Sequence, residues 1–264
     1  MTLFEIAAIL GALAWLPHLI KLIKDLVTRP KIRIITQRTA EIGYTPFGPI
    51  LNLRIAFSVR HRDIVISSIQ IKLKHESGEE RILSWQGIVQ RLGQMGTPEV
   101  GLIPWEKEQT VLAIKLTEKE VEERLIRFQE NDYHTNKEKY DNNVAKKLTY
   151  LTGKGEYNPD EFLQTEEMKD LVSFIKHWFN WKQGKYTITF EMQSPDAFDL
   201  ADNVYEFSLN PLNIESLEAN KELILLSFED QLKIGTEGYQ PHKSNWNWVN
   251  PIVKKVSRPG VPCS

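Results

Sequence analysis

Residues 51 to 60 read Leu-Asn-Leu-Arg-Ile-Ala-Phe-Ser-Val-Arg. Leu51, Leu53, Ile55, Phe57 and Val59 fall on one side of an extended chain, and Asn52, Arg54, Ser58 and Arg60 on the other. A period of two with one apolar face is the pattern of an antiparallel strand packed on a core from one side. The pattern spreads outward from this stretch. Ile32 and Ile34 open a strand after Pro30, and Gly43-Tyr-Thr-Pro-Phe-Gly48-Pro reads as a turn because Gly and Pro fix its backbone. Arg60-His61-Arg62-Asp63 makes a connection. Val65, Ile69, Ile71 and Leu73 then continue the one-sided pattern, interrupted by Ser67. Ser77-Gly78 is a turn signal, and Arg81 to Trp85 is its hairpin partner.

Residues 87 to 108 are punctuated by Gly and Pro and read as loop, after which Thr110 to Leu116 resumes a strand. Thr117-Glu-Lys-Glu120 has the spacing of a capping box, with Val121, Leu125 and Phe128 as the buried stripe of the helix it opens. Residues 130 to 160 are polar and read as a loose or partly helical insertion. A helix runs from Pro159-Asp160 through Phe162, Met168, Leu171, Val172 and Ile175 to Trp178, and Gln183-Gly184 ends it. Alternation returns at Tyr186, Ile188, Phe190 and Met192, and again at Tyr205, Phe207 and Leu209. Pro211 then stops the strand, and a helix over 214–232 carries Leu217, Ile224, Leu225 and Phe228.

Seven strands split by one helical insertion fit an immunoglobulin-like antiparallel β-sandwich. The expected class is therefore mainly β with α insertions, preceded by an N-terminal membrane-anchor helix. The expected divisions are the anchor at 1–30, the first part of the sandwich at 31–116, the helical insertion at 117–182, the remaining strands at 183–210, and a C-terminal helix with an aromatic, basic tail at 211–264.

The anchor expectation comes from charge asymmetry. From Ile6 to Ile20 no side chain carries a formal charge with His18 neutral, and Lys21, Lys24, Arg29, Lys31, Arg33 and Arg38 follow closely. A secretory signal carries its basic residues before the apolar run and a small-residue cleavage site after it, so this segment is not one. Ile6, Ile9, Leu10, Leu13, Trp15, Leu16, Leu19 and Ile20 form the apolar stretch, with Lys21 and Lys24 snorkelling at its end. A bilayer core of about 30 Å takes roughly 20 apolar residues, so Leu3 to Val27 reaches across only with Glu5 at one interface and Lys21 and Lys24 at the other. The flanking charges place the remaining chain in the cytoplasm, as a single-pass protein of a bacterial inner or plasma membrane. Two other roles share the pattern: an interfacial helix on anionic lipid, and a helix docked on the protein through Leu16, Leu19, Ile20, Ile23 and Val27. Ala7, Ala8, Gly11, Ala12 and Ala14 give a small-residue face that permits close helix approach, and hence homo-oligomers.

Composition narrows the function. A net charge of −2 gives no overall nucleic-acid signature. The single cysteine, Cys263, permits no internal disulfide and no thiolate zinc site within one chain. No Asn-x-Ser/Thr sequon occurs, in keeping with a cytoplasmic body.

Catalytic patterns are sparse. His18, His61, His75, His134, His177 and His242 never pair at metal-ligand spacing, and Gly153-Lys154-Gly155 lacks the spacing of a phosphate-binding loop. Pro159-Asp160 followed by Glu167-Met168-Lys169 resembles the proline–aspartate and Glu-x-Lys pattern of restriction-endonuclease-like nucleases. That resemblance implies Asp160 and Glu167 as Mg²⁺ ligands and Lys169 as the group supporting the attacking water. The match spans eleven residues, and its helical apolar spacing departs from the strand-borne pattern of those enzymes. The same acids also suit a helix N-terminus, where the dipole favours them.

Binding surfaces are better supported than catalysis. Trp178 and Trp181 sit beside Lys182, while Trp246 and Trp248 precede Lys254, Lys255 and Arg258. Aromatic rings among cations suit recognition, or pack inward as core. The expected function is a non-enzymatic, membrane-tethered protein that recruits or senses a protein partner and calls for no cofactor. The alternatives are a membrane-attached metal-dependent nuclease or hydrolase and an oligomerising membrane effector.

Overall fold

The computed structural model describes residues 14–20, 28–97, 101–109, 112–242 and 245–256. It is mainly β, a curled sheet with helices packed on it. Residues 14–20 are helical, with Trp15, Leu16, Leu19 and Ile20 between 48 % and 72 % exposed. Among the described residues no helix is long and apolar enough to cross a membrane, and Ile6, Ile9, Leu10, Leu13, Lys21 and Lys24 lie outside them.

Residues 51–60 lie within β3 (Gly48–Arg60), and their alternation is obeyed: Leu51, Leu53, Ile55, Phe57 and Val59 are all buried. One edge of β3 is shared by two strands in turn. β1 (Lys31–Thr36) pairs with its second half and β2 (Glu41–Thr45) with its first, the chain switching between them at residues 37–40. The β2–β3 turn needs Gly48, whose φ of 80° is unfavourable for other residues and whose missing Cβ leaves room for the Tyr133 ring.

Beyond β3 lie β9 (Glu122–Glu130), β6 (Glu80–Thr97), β5 (Ser68–His75), β10 (Gly184–Gln193) and β12 (Val204–Leu209), all antiparallel to their neighbours. β11 (Asp199–Ala201) adds to the far side of β1 in parallel. β4 (Ile64–Ile66) and β8 (Ile114–Leu116) form a separate two-stranded sheet.

The tail closes the curl. β13 (Lys254–Lys255) pairs with β12, and Val256 donates its amide to Val204 O. The residues just before β13 bond the other end of the sheet: Ile42 and Val249 exchange both backbone hydrogen bonds, and Val253 N donates to Arg38 O at 2.7 Å. A continuous circuit of backbone pairing thus runs from β2 through β12 and back to β2. Gly43 makes the closure possible, because a Cβ there would stand 2.4 Å from the Trp248 ring.

Among the described residues, four further helices complete the fold. α1 (Asn131–Lys154), α2 (Pro159–Leu163) and α3 (Glu166–His177) connect β9 to β10, and α4 (Pro211–Lys233) follows β12. α3 packs between α1 and α4, and α4 rests on β2. Asn210 and Asn213 cap α4 reciprocally, with Pro211 at its first position, where a missing amide proton is harmless.

Several expectations are corrected. Residues 122–130 are a strand, not a helix: Ile126, Phe128 and Glu130 fall on one buried face, Gln129 is covered as well, and ladders to β3 on one side and β6 on the other outweigh the helix-favouring charges. The helical insertion accordingly starts at Asn131 rather than at 117. Within the stretch read as loop, residues 87–97 and 101–108 are strand, most of a hairpin between β6 and β7 (Gly101–Gln109), and from Gln90 onward these two strands pair only with each other among the described residues. Pro104 is tolerated because β7 has no partner on its outer edge among the described residues, and the register shifts between Arg91 and Gly93, as glycine permits. Of the loose or partly helical alternatives for this insertion, residues 131–154 take the helical one as a single regular helix, and thirteen strands among the described residues replace the seven expected.

Candidate functional site

α3 is the helix on which the candidate site is built. Met168, Leu171 and Ile175 recur at helical spacing and are at most 2 % exposed. Glu166 and Glu167 occupy its first turn and Lys176 and His177 its last, each complementing the helix dipole. The inner face of α3 is therefore fixed by burial, and its outer face is left between two concavities.

The first concavity, about 480 Å³, lies between α1 and α3 and is lined by Tyr140, Asp170, Ser173, Phe174, His177 and Trp178. Its aromatic wall is layered. Tyr140 stacks on Phe174 with centroids 4.6 Å apart, and Phe174 stacks on Tyr133 at 5.6 Å and meets Trp178 at 5.2 Å. Tyr133 is fully buried and donates its hydroxyl to Pro46 O at 2.8 Å, and burial raises its pKa far above the usual phenol range. Tyr44 is raised for the same reason and donates to Ile175 O from beneath α3.

A buried polar hub orients Trp178. Its Nε1 donates to Glu130 Oε2 at 3.3 Å, and Asn180 Nδ2 donates to the same oxygen at 2.9 Å. Arg81 completes the hub: it donates to Asn180 Oδ1, lies 3.9 Å from Glu130, and sits over the Trp181 ring at 4.8 Å. Both Arg81 and Glu130 side chains are 8 % exposed, so each charge depends on the other and on these hydrogen bonds.

The mouth of this groove is polar on one side. Asp170 and Ser173 are exposed, and Asp170 has no ion-pair partner among the described residues. His177 Nδ1 lies 2.7 Å from Ser173 O and 3.2 Å from Ser173 Oγ, while Nε2 has no partner among the described residues. On α1, Lys137 and Asp141 flank Tyr140 and neutralise each other at 2.6 Å.

The second concavity, about 320 Å³, lies on the other side of α3, toward α2 and α4. Leu163, Met168, Val172 and Leu225 give it an apolar floor, with Lys169 and Lys176 among its lining residues. Lys176 reaches Glu222 at 3.7 Å, and Lys169 has no ion-pair partner among the described residues. Ser173 and His177 belong to both concavities and form the ridge between them.

The residues singled out in the sequence are dispersed. Asp160 pairs with Lys233 on α4, Glu167 lies 3.8 Å from Lys147 on α1, and Lys169 lines the second groove. The two carboxylates thus sit on different helices with different lysine partners, and among the described residues no group of three His, Cys, Asp or Glu could hold a metal. Trp178 is half-buried in the aromatic wall. Trp181 is 2 % exposed and donates to Gly43 O at 3.2 Å, an anchor rather than part of a surface. Trp246 packs against the core and Trp248 covers Gly43. Lys254 and Lys255 are exposed on β13, with Lys255 bonded to Asp202 at 2.7 Å.

Tyr140, Asp170, Ser173 and Phe174 were not singled out in the sequence. The available signal was Tyr133 and Tyr140 seven apart on one helix, facing Phe174 and Trp178 four apart on another. The chain matches no protein-family model, no curated protein and no solved structure.

Proposed function

We propose that this chain is a non-enzymatic recognition protein, held at a membrane by its N-terminal segment and presenting the outer face of α3 to a protein partner. The observation that carries the proposal is the contrast between the two faces of α3. Its inner face is locked by Met168, Leu171, Ile175 and the Tyr44 hydroxyl, while its outer face carries two adjacent concavities. A rigid element bearing grooves with a few convergent polar groups is the usual form of a binding site. The membrane part of the proposal is supported by the charge asymmetry of residues 6–38 and by the exposure of Trp15, Leu16, Leu19 and Ile20, which do not bury themselves on the body as a docked helix would. The β body then serves as a cytoplasmic scaffold of immunoglobulin-like character, which the two-residue alternation of its strands supports.

The test has two arms. Membrane fractionation with alkaline carbonate compares the full chain with one starting at Lys31; pelleting of the first and release of the second are expected. A photo-crosslinking residue at position 173 in the full chain is expected to trap a discrete partner in cells, whereas one at the exposed Lys115 is not. A full chain that washes off removes the tether, and equal trapping at both positions removes α3 as the recognition surface.

A further inference from the structure

We propose that the groove between α1 and α3 binds a guanidinium group, as presented by an arginine side chain of a partner peptide. This rests on the recognition role proposed above and gives that site its ligand chemistry. Three features of the groove converge on this cation. Its wall is aromatic, formed by Tyr140, Phe174 and Trp178, all partly exposed; Tyr140 stacks on Phe174, and Trp178, tilted against Phe174, is held by its hydrogen bond to Glu130. Ring faces attract cations, and a planar guanidinium also stacks on them. Its mouth holds the Asp170 carboxylate, which has no counter-ion of its own among the described residues and can accept two parallel N–H bonds. Ser173 Oγ supplies a further acceptor on the same helix turn.

Charge decides against other ligands. Asp170 repels an anion, and the Lys137–Asp141 pair on α1 neutralises itself. A neutral apolar group would leave Asp170 facing it without a partner, at a desolvation cost. An ammonium satisfies the charge but neither stacks as a plane nor bonds the carboxylate in two places, so the arginine side chain is the better fit. The volume of about 480 Å³ accommodates the side chain together with neighbouring peptide atoms.

The experiment uses the purified full chain in detergent and two peptides, acetyl-Ala-Arg-Ala-amide and the same peptide with citrulline, its uncharged isostere. Binding is read from the Trp178 indole N–H resonance, assigned with Trp178→Phe. The arginine peptide is expected to shift that resonance saturably, and the citrulline peptide to bind about tenfold more weakly or worse. Asp170→Asn is expected to weaken the arginine peptide by a similar factor, and Asp170→Glu to retain most of its affinity. Because Asp170 is exposed, an unchanged melting temperature shows that these variants fold. Equal affinity for both peptides, an unchanged dissociation constant in Asp170→Asn, or no shift with arginine peptide each overturns the assignment. If the peptides fail while crosslinking at position 173 still traps a partner, the guanidinium assignment falls and the recognition role stands. If both fail, the role falls as well.

Discussion

Asn220 on α4 and the backbone of Asn247 in the tail exchange two hydrogen bonds: Nδ2 donates to Asn247 O at 2.9 Å, and Asn247 N donates to Oδ1 at 2.8 Å. The remaining amide proton goes to Tyr44 O at 3.1 Å, so one fully buried side chain ties a helix, β2 and the closing segment together. Asn220→Leu removes every one of these bonds and leaves buried backbone groups without partners. A loss of about 2–4 kcal/mol is expected from these three groups, at about 1 kcal/mol each because the two on Asn247 are only partly buried, read as a lower urea midpoint with an unchanged slope.

Gly43 and Trp248 form a matched pair across the closure. Gly43→Val pushes a side chain into the Trp248 ring and is expected to cost about 1–3 kcal/mol through overpacking. Amide exchange at Ile42 and Val249 should speed up more than exchange in β10. Combining Gly43→Val with Trp248→Leu should recover part of the loss, and simple additivity of the two would show that they do not meet.

Removing one member of the Arg81–Glu130 pair leaves the other charged and buried. Arg81→Met is expected to destabilise by about 3–5 kcal/mol, and the double change Arg81→Met with Glu130→Gln by clearly less. The same Arg81→Met protein should show altered near-ultraviolet dichroism, because Trp178 and Trp181 both contact this hub. An Arg81→Met protein as stable as the parent would remove the hub from the account of how α3 is held.

Four buried tyrosines set the alkaline limit, Tyr186 among them with its pKa raised by burial. Burial, with the Asp202 carboxylate adding to it, pushes Tyr205 up to about 12, and Tyr44 and Tyr133 are raised further by burial. An unfolded chain releases phenol protons near 10, so between about 10 and 12 the folded state binds more protons than the unfolded one. Stability is thus fully present below pH 10 and falls as the pH rises through 12. Phenolate absorbance at 295 nm should show these four tyrosines ionising only with unfolding, and Tyr205→Phe should move that transition to higher pH.

Carboxylates held low by hydrogen bonds act at the acidic end, Asp230 alongside Asp63, Glu79 and Glu80. Asp230 accepts from the Tyr239 hydroxyl at 2.7 Å and from His242 N at 2.9 Å, and these bonds hold its carboxyl below the ordinary value. A depressed carboxylate contributes above the unfolded value near 3.8 and loses its contribution as pH falls below it. Asp230→Asn should flatten the stability profile in that acid window while leaving the profile near neutrality parallel to the parent.

What was legible in the chain depended on how locally each element is determined. β3, β10, β12 and α4 were readable because their buried faces repeat within a few residues: Tyr186, Ile188 and Phe190 need only their own alternation to declare a strand. β9 was misread because Glu122, Glu123 and Arg124 favour a helix locally, and only the ladders to β3 and β6, residues distant in sequence, decide otherwise. The β6–β7 hairpin was missed because its glycines and Pro104 look like punctuation unless the edge position of β7 is known. The tryptophans beside lysine were legible as a cluster but not as one that divides, with Trp181 beneath the surface and Trp178 lining a groove. The groove itself depends on α1, whose packing through Tyr133 and Tyr140 no short window of sequence reports.

The segment that bonds β12 on one side and β2 on the other is made long after either of them. During vectorial synthesis on a ribosome, every upstream strand can find its neighbour before residues 249–256 emerge, yet β2 and β12 keep open edges until they do. An open edge is a template for pairing with another chain. A nascent or prematurely stopped chain therefore differs from the finished one by two exposed strand edges as well as by length, and those edges are what a chaperone or protease would meet.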